Sequence, residues 1–277
     1  MDVLNIRVPD ALVGQWRAWL APQRQPFFLT AGEGERLGLP SVARAGAGLT
    51  DVERDTFTTW RIASEVDRVA WLTWSEWDAL SAPVQRELLC LQVRHGRGNV
   101  PLGRHYADLL PGLPAGRFLW RPEHLTPDVL ARVVTADGMA CQRAQVPRSV
   151  WSEAVGVLPR VRELAGTFSG GTGNCFSAVM GAAGVPDAEN QWVVREPFED
   201  FLKERARVGG KDDQPGTLLV WRSANGLVQH AAVTLGGGWA FQKPAQTWWT
   251  PRVVLPVRQL IKGNRAPGQR LRRYTLV

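Results

Sequence analysis

The sequence predicts an α+β protein. The first half is dominated by apolar residues at helical spacing. A Gly-rich turn then leads into a cysteine and a further helical run. From Pro215 onward the pattern is extended and broken by Asn-Gly and Gly-Gly-Gly turns. The order suggests a mainly helical, Trp-rich region over 1–148 and an α+β domain over 149–277, with a connector at Val146-Pro147-Arg148.

In chain order, the segments Gly32–Gly38, Gly96–Gly103 and Pro111–Gly116 read as loops because Gly and Pro punctuate them. Trp71, Trp74 and Trp77 are three apart, which stacks them on one helical face. That face is either a core surface or an aromatic platform for sugars or bases, and core use is the commoner role of large aromatics. Between Ser75 and Gln92, Trp77, Leu80, Val84, Leu88, Leu89 and Leu91 keep close to helical spacing, and Ser81-Ala82-Pro83 can start a fresh helix. A short helix is expected from Thr126, with Pro127 at its first position, to about Val134. Ser149 or Ser152 can cap a helix that runs to about Leu164. Phe176, Val179, Met180 and Ala183 fit one helical face, which Gly184 and Pro186 end. Thr217–Arg222 and Leu227–Leu235 are β-rich runs joined by Ser-Ala-Asn-Gly, a hairpin signal, and Gly236-Gly237-Gly238 turns the chain into Trp239–Lys243.

The 277 residues carry 33 basic and 26 acidic side chains, a formal charge of +7, with 44% apolar and 21% charged residues. This is a globular composition, which argues against wholesale disorder or fibrous structure. No uninterrupted apolar stretch is long enough for a transmembrane helix, so no membrane partner is expected. No secretory signal is readable at the N-terminus, and the three cysteines (Cys90, Cys141, Cys175) form neither a CxxC pair nor an even set. The expected compartment is therefore the cytoplasm, with non-classical export left open. No HExxH, Walker A or dinucleotide fingerprint occurs, so neither a metal nor a nucleotide cofactor is expected. The stretch Arg252 to Arg273 holds seven basic residues and no acid. It is either a solvated basic face or a contact for an anionic partner, including nucleic acid and anionic wall polymers.

Cys175 is placed as a reactive thiol would be. The turn Ser169-Gly170-Gly171-Thr172-Gly173-Asn174 leads into it and a helix starts at it. Unpaired N–H groups and partial positive charge at a helix start favour a thiolate. The backbone N–H groups of Gly173, Asn174 and Cys175 can hold a developing oxyanion. Cys90, in an apolar helical run, reads as a structural thiol, and Cys141 has no distinguishing context. His95, His105 and His124 lie in the first half, so the base that follows Cys175 in sequence is His230, within an expected strand. With a three-residue loop at Gly236–Gly238, Leu235 faces Trp239 and Gln242 faces Ala232. His230 then shares a sheet face with Gln242, whose amide can fix the imidazole tautomer. A one-residue slip would part them.

These residues resemble the NlpC/P60 group of papain-like cysteine peptidases and amidases. The resemblance rests on Gly173-Asn174-Cys175-Phe176 and on QPGTLLVWRSANGLVQHAAVTLGGGWAFQKPAQTWWTP, and it spans the chain from near Trp151 to the C-terminus. It implies a papain-like fold, in which the cysteine-bearing helix packs on an antiparallel sheet. It also implies Cys175 as nucleophile, His230 as general base and acid, and Gln242 as orienting residue. The family's usual Asp-Cys-Ser-Gly stands here as Asn174-Cys175-Phe176-Ser177. The implied activity is hydrolysis of peptide or amide bonds through a thioester. Cell-wall stem peptides and anionic wall fragments are the family-like substrates, and acyl transfer would use the same triad. The alternative is a catalytically degenerate binding or scaffold protein whose basic surface holds an anionic partner such as nucleic acid.

Overall fold

The computed structural model describes residues 1–277, apart from the side chain of Asp137. The chain divides into two compact units. Met1–Pro9 and Val133–Val277 form one, and Asp10–Arg132 forms the other. The division falls at 132/133, where the sequence reading put it at 148/149, and the first nine residues belong with the C-terminal unit. They do so as a hairpin of β1 (Asp2–Val3) and β2 (Ile6–Arg7). The Leu4 carbonyl accepts from Cys141 N–H at 2.9 Å, and Asn5 Nδ2 donates to the Cys141 carbonyl at 3.3 Å.

The Asp10–Arg132 unit contains α1 (Asp10–Leu20), β3 (Arg24–Leu29), α2 (Ala31–Leu37), β4 (Val42–Ala43), α3 (Asp51–Thr56), β5 (Arg68–Thr73), α4 (Trp74–Ala79) and α5 (Ala82–Arg94). Its strands form an antiparallel sheet in the order β3-β5-β4, so the region expected to be mainly helical is itself α+β. Both faces of the sheet are covered, and the side chains divide with the two-residue period of a strand. Phe27, Leu29, Ala70 and Leu72 join Trp77 and Leu88 on one side. Phe28 and Val69 join Phe57 and Ile62 on the other.

Thr-x-x-Glu capping boxes decide three helix starts in this unit: Thr30/Glu33, Thr50/Glu53 and Thr73/Glu76. Two expectations are corrected by them. Gly32–Gly38 is not a loop, because the Thr30 box starts α2 there and Gly38 closes it in the left-handed conformation. Trp71, Trp74 and Trp77 do not share a helical face, because the Thr73 box starts α4 at Trp74 and leaves Trp71 in β5. Trp77 stacks on Phe27 at 5.3 Å, whereas Trp71 Nε1 donates to the Ala47 carbonyl at 3.1 Å.

The helix α6 (Pro127–Asp137) begins at the expected proline and runs beyond Val134. In the C-terminal unit follow α7 (Arg148–Val157), α8 (Val161–Leu164), α9 (Cys175–Ala182), α10 (Arg195–Arg205), β6 (Ala206–Val208), β7 (Pro215–Arg222), β8 (Val228–Gly236), β9 (Trp239–Gln242), β10 (Val253–Pro256), α11 (Val257–Gly263) and β11 (Arg270–Leu276). The helix expected to run to Leu164 is two helices, broken at Leu158-Pro159, and neither Ser149 nor Ser152 caps it: Pro147 holds that position. The strands form one antiparallel sheet in the order β10-β9-β8-β7-β11-β6. Strands β7 to β10 form a meander, and β11 returns to the free side of β7. Helix α9 lies against β8 and β9.

Of the basic stretch, Arg252 is buried at 4% exposure and Arg273 is paired with Asp212 at 2.7 Å. Arg258, Lys262, Arg265, Arg270 and Arg272 are exposed. The charge therefore does not form one uniform solvated face.

Replacing Thr73 with Ala removes the α4 cap bonds without touching the core. The expected loss is about 1 kcal/mol of unfolding free energy, read from denaturant melts against the wild type.

Candidate active site

The site is built in the C-terminal unit, starting from the turn before α9. Arg252 anchors that turn. Its Nε donates to Thr167 Oγ1 at 3.0 Å, Nη2 to the Phe168 carbonyl at 2.7 Å and Nη1 to the Glu189 carbonyl at 3.4 Å. A buried guanidinium tolerates desolvation only when such acceptors surround it. Asn190 Oδ1 takes the Gly170 N–H at 3.3 Å. Gly173 lies so close to the Glu189 carbonyl oxygen that any Cβ there would collide with it. Glycine is thus required at 173 by close approach, not by its φ.

Asn174 caps α9. Its Oδ1 accepts from Ser177 N–H at 3.0 Å, and its Nδ2 donates to the Val193 carbonyl at 2.7 Å. With both ends of the Asn174 amide used and the residue buried, its side chain serves structure. Cys175 occupies the first position of α9 and is partly accessible. The backbone N–H dipoles of Ala231, Phe176 and Cys175 itself lie near enough to favour its thiolate. Ala231 directly follows His230 in β8, so the thiol lies beside the histidine-bearing stretch of that strand.

The β8–β9 turn is built differently from expectation, and its result is the same register. Gly237 and Gly238 form a two-residue loop with φ of 55° and 80°, and Gly236 pairs with Trp239. That pairing alone would set Gln242 opposite Val233, on the wrong face. One extra residue, Leu235, bulges out between Thr234 and Gly236, so that Thr234 faces Ala240 and Val233 faces Phe241. Continued one step, this register puts Gln242 opposite Ala232, two residues from His230. The structure brings the two side chains together: His230 Nε2 and Gln242 Oε1 are 3.0 Å apart. An amide oxygen only accepts, so Nε2 carries the proton and Nδ1 keeps its lone pair.

Burial sets the resting protonation. It pushes the Cys175 thiol up to about 11, although the three N–H groups and the Lys243 ammonium pull the other way. The helix start therefore does not lower this thiol below its ordinary range, because desolvation outweighs it. Burial pulls the His230 imidazole down to about 4, against the opposing effect of the Gln242 hydrogen bond. The Trp221 ring, 5.2 Å from the imidazole, supplies part of that apolar cover. Both directions favour a neutral thiol and a neutral imidazole at pH 7.

Two neighbours went unseen in the sequence reading. Lys243 is fully buried, and its Nζ donates to the carbonyls of Ala245, Gln246 and Thr247 at 2.8, 3.1 and 2.6 Å. Its adjacency to Gln242 was the available signal. Asn264 Nδ2 donates to Gln242 Oε1 at 2.7 Å, across a separation in sequence that leaves no local signal.

The other cysteines and histidines stand apart from this arrangement. Cys90 is exposed. Cys141 is buried and its Sγ accepts from Val254 N–H at 3.4 Å. His95, His105 and His124 belong to the Asp10–Arg132 unit, where His95 pairs with Glu33 at 2.8 Å. Among the described residues, no three His, Cys, Asp or Glu side chains are grouped to hold a metal ion, and no helix is long and apolar enough to cross a membrane. The chain matches no protein-family model, no curated protein and no solved structure.

Two pH effects follow. Iodoacetamide labelling of Cys175, followed residue by residue by mass spectrometry, should be slow at pH 7 and keep rising beyond pH 9. A plateau reached below pH 8 would contradict the resting thiol. Stability should also fall as pH drops from about 6.5 toward 4, because the unfolded chain takes up a proton that buried His230 refuses. The matched melt of His230→Gln should lack that part of the slope.

Proposed function

We propose that the C-terminal unit is a papain-like, NlpC/P60-like cysteine hydrolase that cleaves peptide or amide bonds. The observation that carries this reading is the 3.0 Å contact of His230 Nε2 with Gln242 Oε1, which leaves Nδ1 with its lone pair on the strand against which the cysteine-bearing helix α9 packs.

The chemistry follows from that polarity. A substrate carbonyl seats next to Cys175. The thiol proton passes to His230 Nδ1 as sulfur attacks the carbonyl carbon. The carbonyl oxygen becomes an oxyanion, stabilised by backbone N–H groups at the Gly173–Cys175 turn and the α9 start. The C–N bond breaks, the amine leaves with the proton from His230, and a thioester to Cys175 remains. Water then attacks the thioester, giving its proton to Nδ1, and the acid is released with return of that proton to sulfur. Gln242 holds the imidazole through these steps, and its hydrogen bond favours the imidazolium against the burial that opposes it. The resting pair is neutral, so proton transfer accompanies attack and is not completed beforehand. Cell-wall stem peptides are the first substrates to test, and a nucleophile other than water would turn the same cycle into acyl transfer.

The test is turnover of a peptide and amide panel with acid-quench mass spectrometry. Wild type should show a Cys175 acyl adduct, Cys175→Ala should show neither adduct nor product, and His230→Ala should lose about 10²- to 10⁴-fold in kcat. Full activity in Cys175→Ala would sink the reading.

A further inference from the structure

We propose that Asn264 is a positioning residue that fixes the tautomer of His230 through Gln242, and that the ultimate reference for that tautomer is the backbone carbonyl of Leu260 in α11. This deepens the reading of the same site as a cysteine hydrolase and rests on it for its catalytic meaning.

The argument is a chain of donor and acceptor assignments. The Leu260 carbonyl oxygen can only accept. Asn264 Nδ2 lies 2.9 Å from it, so the nitrogen end of the Asn264 amide must face it: an amide oxygen there would set two acceptors together. The same Nδ2 donates its second hydrogen toward Gln242 at 2.7 Å, so the Gln242 end at that point must be oxygen. That oxygen also meets His230 Nε2 at 3.0 Å, so Nε2 must be the protonated nitrogen. Nδ1 is then left with its lone pair. No rotation of a single amide satisfies the set in another way, because one end of the chain is backbone.

A further observation shows that this orientation is imposed. Gln242 is buried, and its Nε2 has no hydrogen-bond partner. An isolated Gln242–His230 pair has no reason to choose the orientation that places the oxygen, with two donors on it, toward the site and strands the nitrogen. The second donor, Asn264, supplies that reason. The geometry is available because α11 follows β10, the strand paired with β9, and Asn264 forms the C-terminal cap of that helix.

The test replaces the donor with an acceptor of the same shape. In Asn264→Asp neither oxygen can stay against the Leu260 carbonyl, so the carboxylate should turn away from it and draw Gln242 Nε2 toward itself, giving the stranded nitrogen a partner. The amide then presents N–H to His230, Nε2 must accept, and the proton moves to Nδ1. The readout is histidine ¹⁵N correlation spectroscopy at pH 7 on the full chain, with His230 assigned through His230→Gln. Wild type should show protonated Nε2 and unprotonated Nδ1, and Asn264→Asp should show the reverse. Where the substrate panel is turned over, Asn264→Asp should lower kcat by about 10²-fold or more at nearly unchanged KM, since an Nδ1–H imidazole is no base for the thiol. Asn264→Ala, which removes the donor without adding charge, should give a mixture of tautomers and an intermediate kcat, and it serves if Asn264→Asp does not fold. Protonated Nδ1 in wild type, or an unchanged tautomer in both variants, would overturn the proposal. The expected tautomers together with a wild type that turns over no substrate would overturn the hydrolase reading alone.

Discussion

Between Thr234 and Gly236, strand β8 carries one residue more than β9 opposes, and this bulge decides the face on which Gln242 emerges. Side chains alternate along a strand, so one residue of register separates a histidine with an acceptor from a histidine without one. The turn beyond the bulge is a two-residue glycine loop, a geometry suited to the twist of a hairpin. By itself it would put Gln242 on the far side. Bulge and turn must therefore be considered together. Every later feature of the site depends on their sum: the His230–Gln242 bond, the lone pair at Nδ1, and the chance for Asn264 to reach the same oxygen.

The remaining constraints come from burial. Arg252 shows how a charge is kept inside the protein: its guanidinium reaches the Thr167 hydroxyl and two backbone carbonyls that belong to the segment before Cys175 and to Glu189. Desolvation lowers its pKa to about 10, which leaves it charged at neutral pH. Lys243 repeats the device on the other side, with three carbonyls of the segment after β9. These cations brace loops, and Lys243 also offsets part of the desolvation that disfavours a thiolate at Cys175. The neutral thiol and imidazole at rest are the state that this desolvation favours.

The Asp10–Arg132 unit follows its own logic. Its sheet is buried on both faces, and an edge of that sheet is satisfied by a side chain. Gln92 of α5 accepts from Phe28 N–H at 2.7 Å and donates to the Phe28 carbonyl at 3.0 Å, occupying both backbone groups that an exposed strand edge would leave open. Phe27, Trp74 and Trp77 pack on one side of this sheet and Phe28, Phe57 and Trp71 on the other, whereas Tyr106, Phe118 and Trp120 pack on one another.

Local chemistry in the sequence was enough to determine the helix start at Cys175, the β7–β8 hairpin and the proline at the head of α6, because each is governed by residues close to one another along the chain. The pairing of His230 with Gln242 matches the expected register, but through a two-residue turn and a bulge and not through the expected three-residue loop. The Thr-x-x-Glu boxes are equally local, and they, not the Gly and Trp spacing, make Ala31–Leu37 a helix and leave Trp71 in β5. Tertiary structure alone decided the rest. Only folding brings Met1–Pro9 to Cys141, lays Arg252 under the turn before α9, and carries Asn264 to Gln242, since each joins segments far apart in the chain. The protonation of Cys175 belongs to the same class. A helix start, visible in the sequence, favours the thiolate, but the apolar surroundings that reverse the balance exist only once β8, β9 and α9 have come together.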